Sequence, residues 1–266
     1  ITLTDAELAL AQISGYWEDA RELFKKKLFE LRDKGFSFKL DFIVYVLLGI
    51  IYQSGDEMKK LHGSENSDKI KEVWNILDKY VLDYVVNILR SRGFVDHTDE
   101  INSYYALIPI IVYYYKKFTK GDKAFSNDEI NKILRWFYYS QIRNRYVSQL
   151  PQKLTKDNKI AWESTSPFEN LLSLIEEERS LTITESEFEG RNVSHPLYKL
   201  CLFYFKSKNA VCLTTKVPIH QPMGKMYKLE KDHIFPYSVL KKRGYAMGED
   251  KYRLAQEFTN RAILTG

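Results

Sequence analysis

Apolar residues recur every three or four positions from Thr4 to about Lys206, a period that suits packed helices and little else. Thr4-Asp-Ala-Glu7 has the form of a capping box, with Leu8, Leu10, Ala11 and Ile13 behind it. Trp17, Ala20, Leu23, Phe24, Leu28 and Leu31 then share one side of a second helix, ended near Gly35. Asp41 to Ile51 is apolar nearly all round, the pattern of a helix buried inside a bundle. Further helices are expected over Lys69–Arg92, Glu100–Lys117, Asn127–Tyr146, Pro167–Glu178 and Pro196–Lys206. Ser126 and Ser166 each stand three residues before a Glu and read as caps, while Pro109 is expected to kink its helix. The fold class is therefore mainly α: a multi-helix bundle without a fixed-period repeat.

The texture changes around Asn209. Ala210–Thr215 and Met226–Leu229 read as short strands, punctuated by Pro218, Pro222 and Gly224. Charge is redistributed at the same place. The chain carries 40 Lys and Arg against 35 Asp and Glu, a net +5. Nine of the basic residues fall between Lys206 and Arg243 (Lys206, Lys208, Lys216, Lys225, Lys228, Lys231, Lys241, Lys242, Arg243), against Glu230 and Asp232, a local +7. Alone this is a solvated basic face; beside the motif that follows it reads better as a phosphate-facing surface. Two domains are expected: a helical one over 1–206 and a basic segment over 207–266.

Composition excludes several classes. With 44% apolar and 28% charged residues, wholesale disorder is ruled out. The longest apolar runs, Phe42–Tyr52 and Tyr104–Tyr115, fall short of the roughly 20 residues that span a bilayer, so a soluble, cytoplasmic protein is expected. Cys201 and Cys212 cannot build a disulfide framework and read as buried small side chains. Combining them with His220 around zinc fails on spacing, since the two cysteines lack the close pairing of zinc fingers. His195 reads as a helix cap; His62 and His97 read as loop residues. The chain begins with Ile and no leader pattern follows, so it is read as a piece of a longer one.

The informative segment is Lys228-Leu-Glu-Lys-Asp-His-Ile-Phe-Pro236, followed after a loop by Thr259-Asn-Arg-Ala-Ile-Leu264. Asp232 and His233 end one expected strand, and Asn260 opens another. Hydrolysis of a phosphodiester needs a base for the attacking water and a cation to neutralise charge on phosphate and leaving oxygen. His233 titrates near neutrality and suits the first task. Asp232 offers the hard oxygen that Mg²⁺ or Mn²⁺ prefers. The Asn260 amide donates and accepts at once and could tie down the loop that aims the imidazole.

Asp-His-Ile-x-Pro followed by Asn-x-x-x-Leu resembles the HNH, or ββα-metal (His-Me finger), nuclease motif. The helical body, from Leu3-Thr-Asp-Ala-Glu-Leu-Ala-Leu-Ala11 through Tyr104-Tyr-Ala-Leu-Ile-Pro109 to Trp136-Phe-Tyr and Arg145-Tyr146, is similar to the central region of GmrSD-type restriction endonucleases. That resemblance implies a metal-dependent endonuclease of bacterial, anti-phage defence that cleaves foreign or modified DNA. His233 would be its general base, Asp232 a metal ligand and Asn260 the brace. A ParB-like, NTP-using N-terminal domain would be its partner. The family continues from the second strand into a helix with a further ligand, and this chain stops at Gly266; an incomplete ββα unit, inactive by itself, is therefore expected. Lys231, Lys241, Lys242, Arg243 and Arg261 would contact DNA phosphates.

Two other readings stand beside this one. The helical body could be a non-catalytic DNA-binding or coupling module between the N-terminal domain and the nuclease. Tyr113–Tyr115 with Lys116 and Lys117, and Trp136–Tyr139 with Arg143 and Arg145, could stack bases. Consecutive aromatics on a helix point in different directions, so core packing is the stronger reading of both clusters. Arg143 and Arg145 are then either exposed contacts or partners of bundle carboxylates.

Overall fold

Nine of the thirteen residues from Leu40 to Tyr52 are buried, and the first half of the fold is organised around that helix. The computed structural model describes residues 4–220 and 229–265. In chain order the first helices are α1 (Asp5–Tyr16), α2 (Ala20–Asp33), α3 (Leu40–Tyr52), α4 (Ser67–Ile76) and α5 (Leu82–Ser91). They are followed by α6 (Leu107–Thr119), α7 (Asn127–Ile142), α8 (Leu150–Glu163) and α9 (Pro167–Glu178). α3 packs against α1, α2, α4, α6 and α8, which explains why no face of it is polar. The protein is mainly α, a multi-helix bundle followed by a small unit built on a two-stranded sheet.

Helix starts follow their caps. Thr4 and Ser126 each accept a hydrogen bond from a Glu amide three residues on, and Glu7 and Glu129 return it. Ser166 sits at the cap of α9 without a side-chain bond, and Ser164 Oγ instead accepts from the Ser166 amide at 3.0 Å. Pro109 does not kink α6. The helix starts at Leu107, so Pro109 lies in its first turn, where a missing N–H has no carbonyl to lose. α7 ends at Ile142 rather than Tyr146, with Asn144 in the left-handed region at φ 53°.

Two features depart from the helix pattern read along the sequence. A wide π turn, Leu77–Val81, joins α4 to α5 within one continuous helical stretch. α8 was not expected at all. Its inward positions are Leu154, Asp157, Asn158 and Ala161, correctly spaced for a helix but half polar, so no apolar stripe announced it. Asp157 is fully buried against Arg145, whose Nε and Nη2 donate to its two oxygens at 2.7 and 2.6 Å. The Tyr146 hydroxyl donates to the same carboxylate. The carboxylate outweighs the cost of burial and raises the Arg145 pKa, so the guanidinium stays charged.

The chain divides into two compact units, Ile1–Arg179 and Ser180–Gly266, earlier than the expected boundary at residue 206. The reason lies in α10 (Pro196–Ser207), whose Tyr198 packs on Phe258, 5.8 Å between ring centroids, so the helix belongs to the second unit. His195 caps it, Nδ1 accepting from the Leu197 amide at 3.4 Å. The second unit continues with β1 (Leu229–His233), the short helices α11 (Tyr237–Lys241) and α12 (Tyr252–Gln256), and β2 (Arg261–Thr265). β1 and β2 pair antiparallel, with Leu229 opposite Thr265 and His233 opposite Arg261. Ala210–Thr215 forms no strand; only an isolated bridge joins Val211 to Pro218. Of the other expected strand, 226–228 lies outside the described residues and Leu229 begins β1.

Candidate functional site

Asn260 sits immediately before β2, and its amide holds two segments at once. Oδ1 accepts from the Phe235 amide at 3.0 Å and Nδ2 donates to the Ala255 carbonyl at 3.1 Å. Its own backbone carbonyl accepts from the Ile234 amide at 3.0 Å. The turn that follows Asp232 and His233 is thus fixed by a single residue, through both its backbone and its side chain.

His233, half-buried at the end of β1, faces its cross-strand partner. Arg261 Nη1 lies 3.1 Å from His233 Nδ1, and Tyr237 stacks near the ring at 5.7 Å. A guanidinium only donates, so Nδ1 is the acceptor and the ring proton sits on Nε2. Nε2 is buried and has no hydrogen-bond partner among the described residues. Burial, then the Arg261 charge, holds the His233 pKa below its ordinary value of 6.5, against the opposing pull of Gln256 and Asp232. The imidazole is therefore neutral near pH 7.

Arg261 is itself held in place. Nη1 also donates to the Lys231 carbonyl at 3.2 Å and Nη2 to Gln256 Oε1 at 2.7 Å, while Nε is buried with no partner among the described residues. Sequence reading assigned Arg261 to phosphate but missed its contact with His233. Only the β1–β2 register reveals that contact, and 27 residues of turn and short helix lie between the two positions.

Asp232 is exposed, and one of its oxygens accepts from the His233 amide at 2.8 Å. The alternation of a strand assigns Asp232 and His233 to opposite faces of β1. Among the described residues no group of three His, Cys, Asp or Glu side chains gathers. Asp232 thus offers one carboxylate, which suits an ion that fills its shell from water and phosphate oxygens, as Mg²⁺ does. Cys201 and Cys212 are free thiols, and the Cys212 sulfur lies 3.1 Å from Thr214 Oγ1.

The basic stretch is thinner at the surface than in the sequence. Lys206 is fully buried, which removes it from any phosphate-facing surface. Lys225 and Lys228 lie outside the described residues. Lys208, Lys216, Lys231, Lys241, Lys242 and Arg243 are exposed. Lys241 closes α11 with Lys242 and Arg243 directly after it, and Lys231 Nζ lies 5.3 Å over the Tyr198 ring.

The aromatic clusters of the bundle are core. Tyr114, Tyr115, Trp136 and Phe137 are buried, and Tyr113 donates to Glu129 at 2.8 Å. Arg143 and Arg145 are buried as well, which overturns their reading as exposed contacts and leaves the bundle-carboxylate alternative, realised for Arg145 by Asp157. None of the helices described is long and apolar enough to cross a membrane. No protein-family model matches the chain, and no curated protein matches it.

Proposed function

We propose that the second unit is the catalytic part of a metal-dependent DNA endonuclease of the HNH type, related to the GmrSD-type restriction enzymes of bacterial defence. The observation that carries the reading is the hairpin. Asp232 and His233 end one strand, Asn260 braces the following turn with two side-chain hydrogen bonds, and exposed lysines lie on β1 and after α11.

In this reading Arg261 exchanges His233 Nδ1 for a DNA phosphate, and the freed nitrogen takes a proton from water. The water oxygen forms a bond to phosphorus as the bond to the leaving oxygen breaks, and the leaving oxygen takes a proton from solvent. Mg²⁺ or Mn²⁺, held by Asp232, would neutralise charge on the phosphate and on that oxygen. Asn260 keeps the imidazole aimed. Lys231, Lys241, Lys242 and Arg243 hold the backbone without reading sequence. A ParB-like, NTP-using domain would act with this part.

A second reading has one observation in its favour: no third metal-ligating side chain joins Asp232 and His233 among the described residues. On that reading the protein is a non-catalytic DNA-binding or coupling module. Nicking of supercoiled plasmid with Mg²⁺ or Mn²⁺ separates the two. The nuclease reading expects metal-dependent nicking once the ββα unit is completed by a following helix with a further ligand, and His233→Ala in that longer chain reduces it about 10²–10⁴-fold. A folded longer chain that binds plasmid with salt-sensitive affinity and never nicks it supports the coupling module.

A further inference from the structure

The bundle carries a second candidate site, and it does not depend on the nuclease reading. Beside the π turn Leu77–Val81 lies a surface groove of about 710 Å³ in which aromatic rings and cations alternate. Tyr80 projects from that turn, half exposed, with its ring stacked on Phe118 at 4.9 Å and 24°. Lys123 Nζ lies 3.7 Å over the Phe118 ring. Deeper in the groove Tyr84 and Tyr114 stack at 4.0 Å and 13°. The Tyr114 hydroxyl donates to the Lys123 carbonyl at 2.8 Å, and Tyr84 Oη accepts from the Phe125 amide at 2.6 Å. The aromatic floor and the segment carrying Lys123 are thereby fixed together.

Charge decides which ligand fits. Asp83, the carboxylate of the groove, is already neutralised by Lys27 at 2.8 Å and Lys34 at 2.5 Å. Lys79 and Lys123 are exposed, and among the described residues neither is in an ion pair. Asn87, also exposed, adds an amide that can donate and accept. A flat exposed ring, two cations outside any ion pair among the described residues, and one amide match a planar heterocycle with a polar edge joined to a phosphate. Stacking of bases on aromatic side chains with lysines drawing the backbone is how single strands are held without sequence preference. π turns also occur often at functional positions.

We infer that this groove binds a nucleotide unit, its base on Tyr80 and its phosphate drawn by Lys79 and Lys123. The test is fluorescence anisotropy of a labelled 12-mer of thymidylate on the full chain in EDTA, with free dTMP as competitor. A 5-iodouracil version of the oligonucleotide maps the contact by photo-crosslinking. Crosslinks at Tyr80 or Phe118 are expected, together with affinity about tenfold weaker in Tyr80→Ala and near normal in Tyr80→Phe. The Lys79→Gln, Lys123→Gln double variant, which leaves the rings in place, should flatten the salt dependence. Competition by dTMP at concentrations that saturate it would identify a free nucleotide as the source; binding of the oligonucleotide alone would identify a strand. Unchanged affinity in Tyr80→Ala, crosslinks confined to residues 229–265, or no binding of either probe overturns the inference. Crosslinks at Tyr80 would sustain it even where the nicking test sinks the nuclease reading.

Discussion

The first unit closes its buried Arg145 and Lys27 into ion pairs with carboxylates, whereas the second sets two unpartnered buried polar atoms on side chains that touch each other. Arg145 is enclosed with Asp157, and Lys27, 3% exposed, reaches Asp83. In the second unit His233 Nε2 and Arg261 Nε are buried with no partner among the described residues. Apolar exposure divides the same way. Among the described residues, five large apolar side chains are exposed in the first unit and nine in the much shorter second one, including Ile234 and Phe235 directly after His233. Buried polar groups normally find partners, and exposed apolar groups in clusters normally meet something. The bundle too keeps buried atoms without a partner among the described residues, Asp41 Oδ1, Trp136 Nε1 and Asn158 Oδ1 among them. In the hairpin two such atoms belong to side chains in contact with each other, His233 and Arg261, beside exposed Ile234 and Phe235, which is where a ligand-dependent function would be sought.

Breaking the buried pair should give the largest effect and would test how closed the bundle is. Arg145→Ala removes the ion-pair partner of a fully buried carboxylate and should cost about 4 kcal/mol in denaturant unfolding. A loss below about 1 kcal/mol would mean that water reaches Asp157 and that the contrast between the units is overstated.

Asn260→Ala comes next. It removes two hydrogen bonds, with an expected loss of about 1.5 kcal/mol. Peptide-resolved hydrogen exchange should show faster exchange at Phe235, with bundle amides unchanged. Protection lost across α3 as well would mean that the two units unfold together.

A smaller effect depends on pH. Burial opposes ionisation of Glu129, but Lys117, Ser126 and Tyr113 outweigh it and hold the carboxyl down at about 2. A depressed carboxylate contributes stability that is present above its ordinary pKa of 4.5 and is lost as pH falls through about 2. Acid titration of Glu129→Gln should therefore show a shallower stability loss between those limits than the parent protein. Parallel curves would mean that the ion pair with Lys117 contributes nothing.

The smallest effect sharpens the comparison from the other side. Replacing Lys241, Lys242 and Arg243 together by Gln should change stability by less than about 0.5 kcal/mol, since all three are exposed. The same variant should lower the salt slope of duplex DNA binding. A large stability loss would place these side chains in the fold rather than on its working surface.

What the sequence disclosed follows from what leaves a local trace. Capping boxes at Thr4 and Ser126, the apolar run of α3 and the Asp232-His233 end of β1 are written in neighbouring residues, and each is found where expected. α8 left no such trace, because Asp157 and Asn158 occupy inward positions made acceptable by partners outside the helix, Arg145 and Tyr146 for the first and Ser54 for the second. The Pro109 expectation failed over a boundary: a helix start placed at Glu100 instead of Leu107 turns a first-turn proline into an interior one. The place of Asn260 before β2 was readable, but the Arg261 contact with His233 was not, since strand register is a long-range property.

The π turn has a consequence for how this chain tolerates change in length. Such a turn holds one residue more than regular α geometry requires, and the helical stretch on either side keeps its facing. Deleting a single residue within Leu77–Val81 would tighten the turn to α and leave Val73 and Val85 directed at the same core. The identical deletion inside α3 would rotate every following side chain by about 100° and bury none of them correctly. Length variation among proteins sharing this bundle should therefore collect at this turn, beside Tyr80.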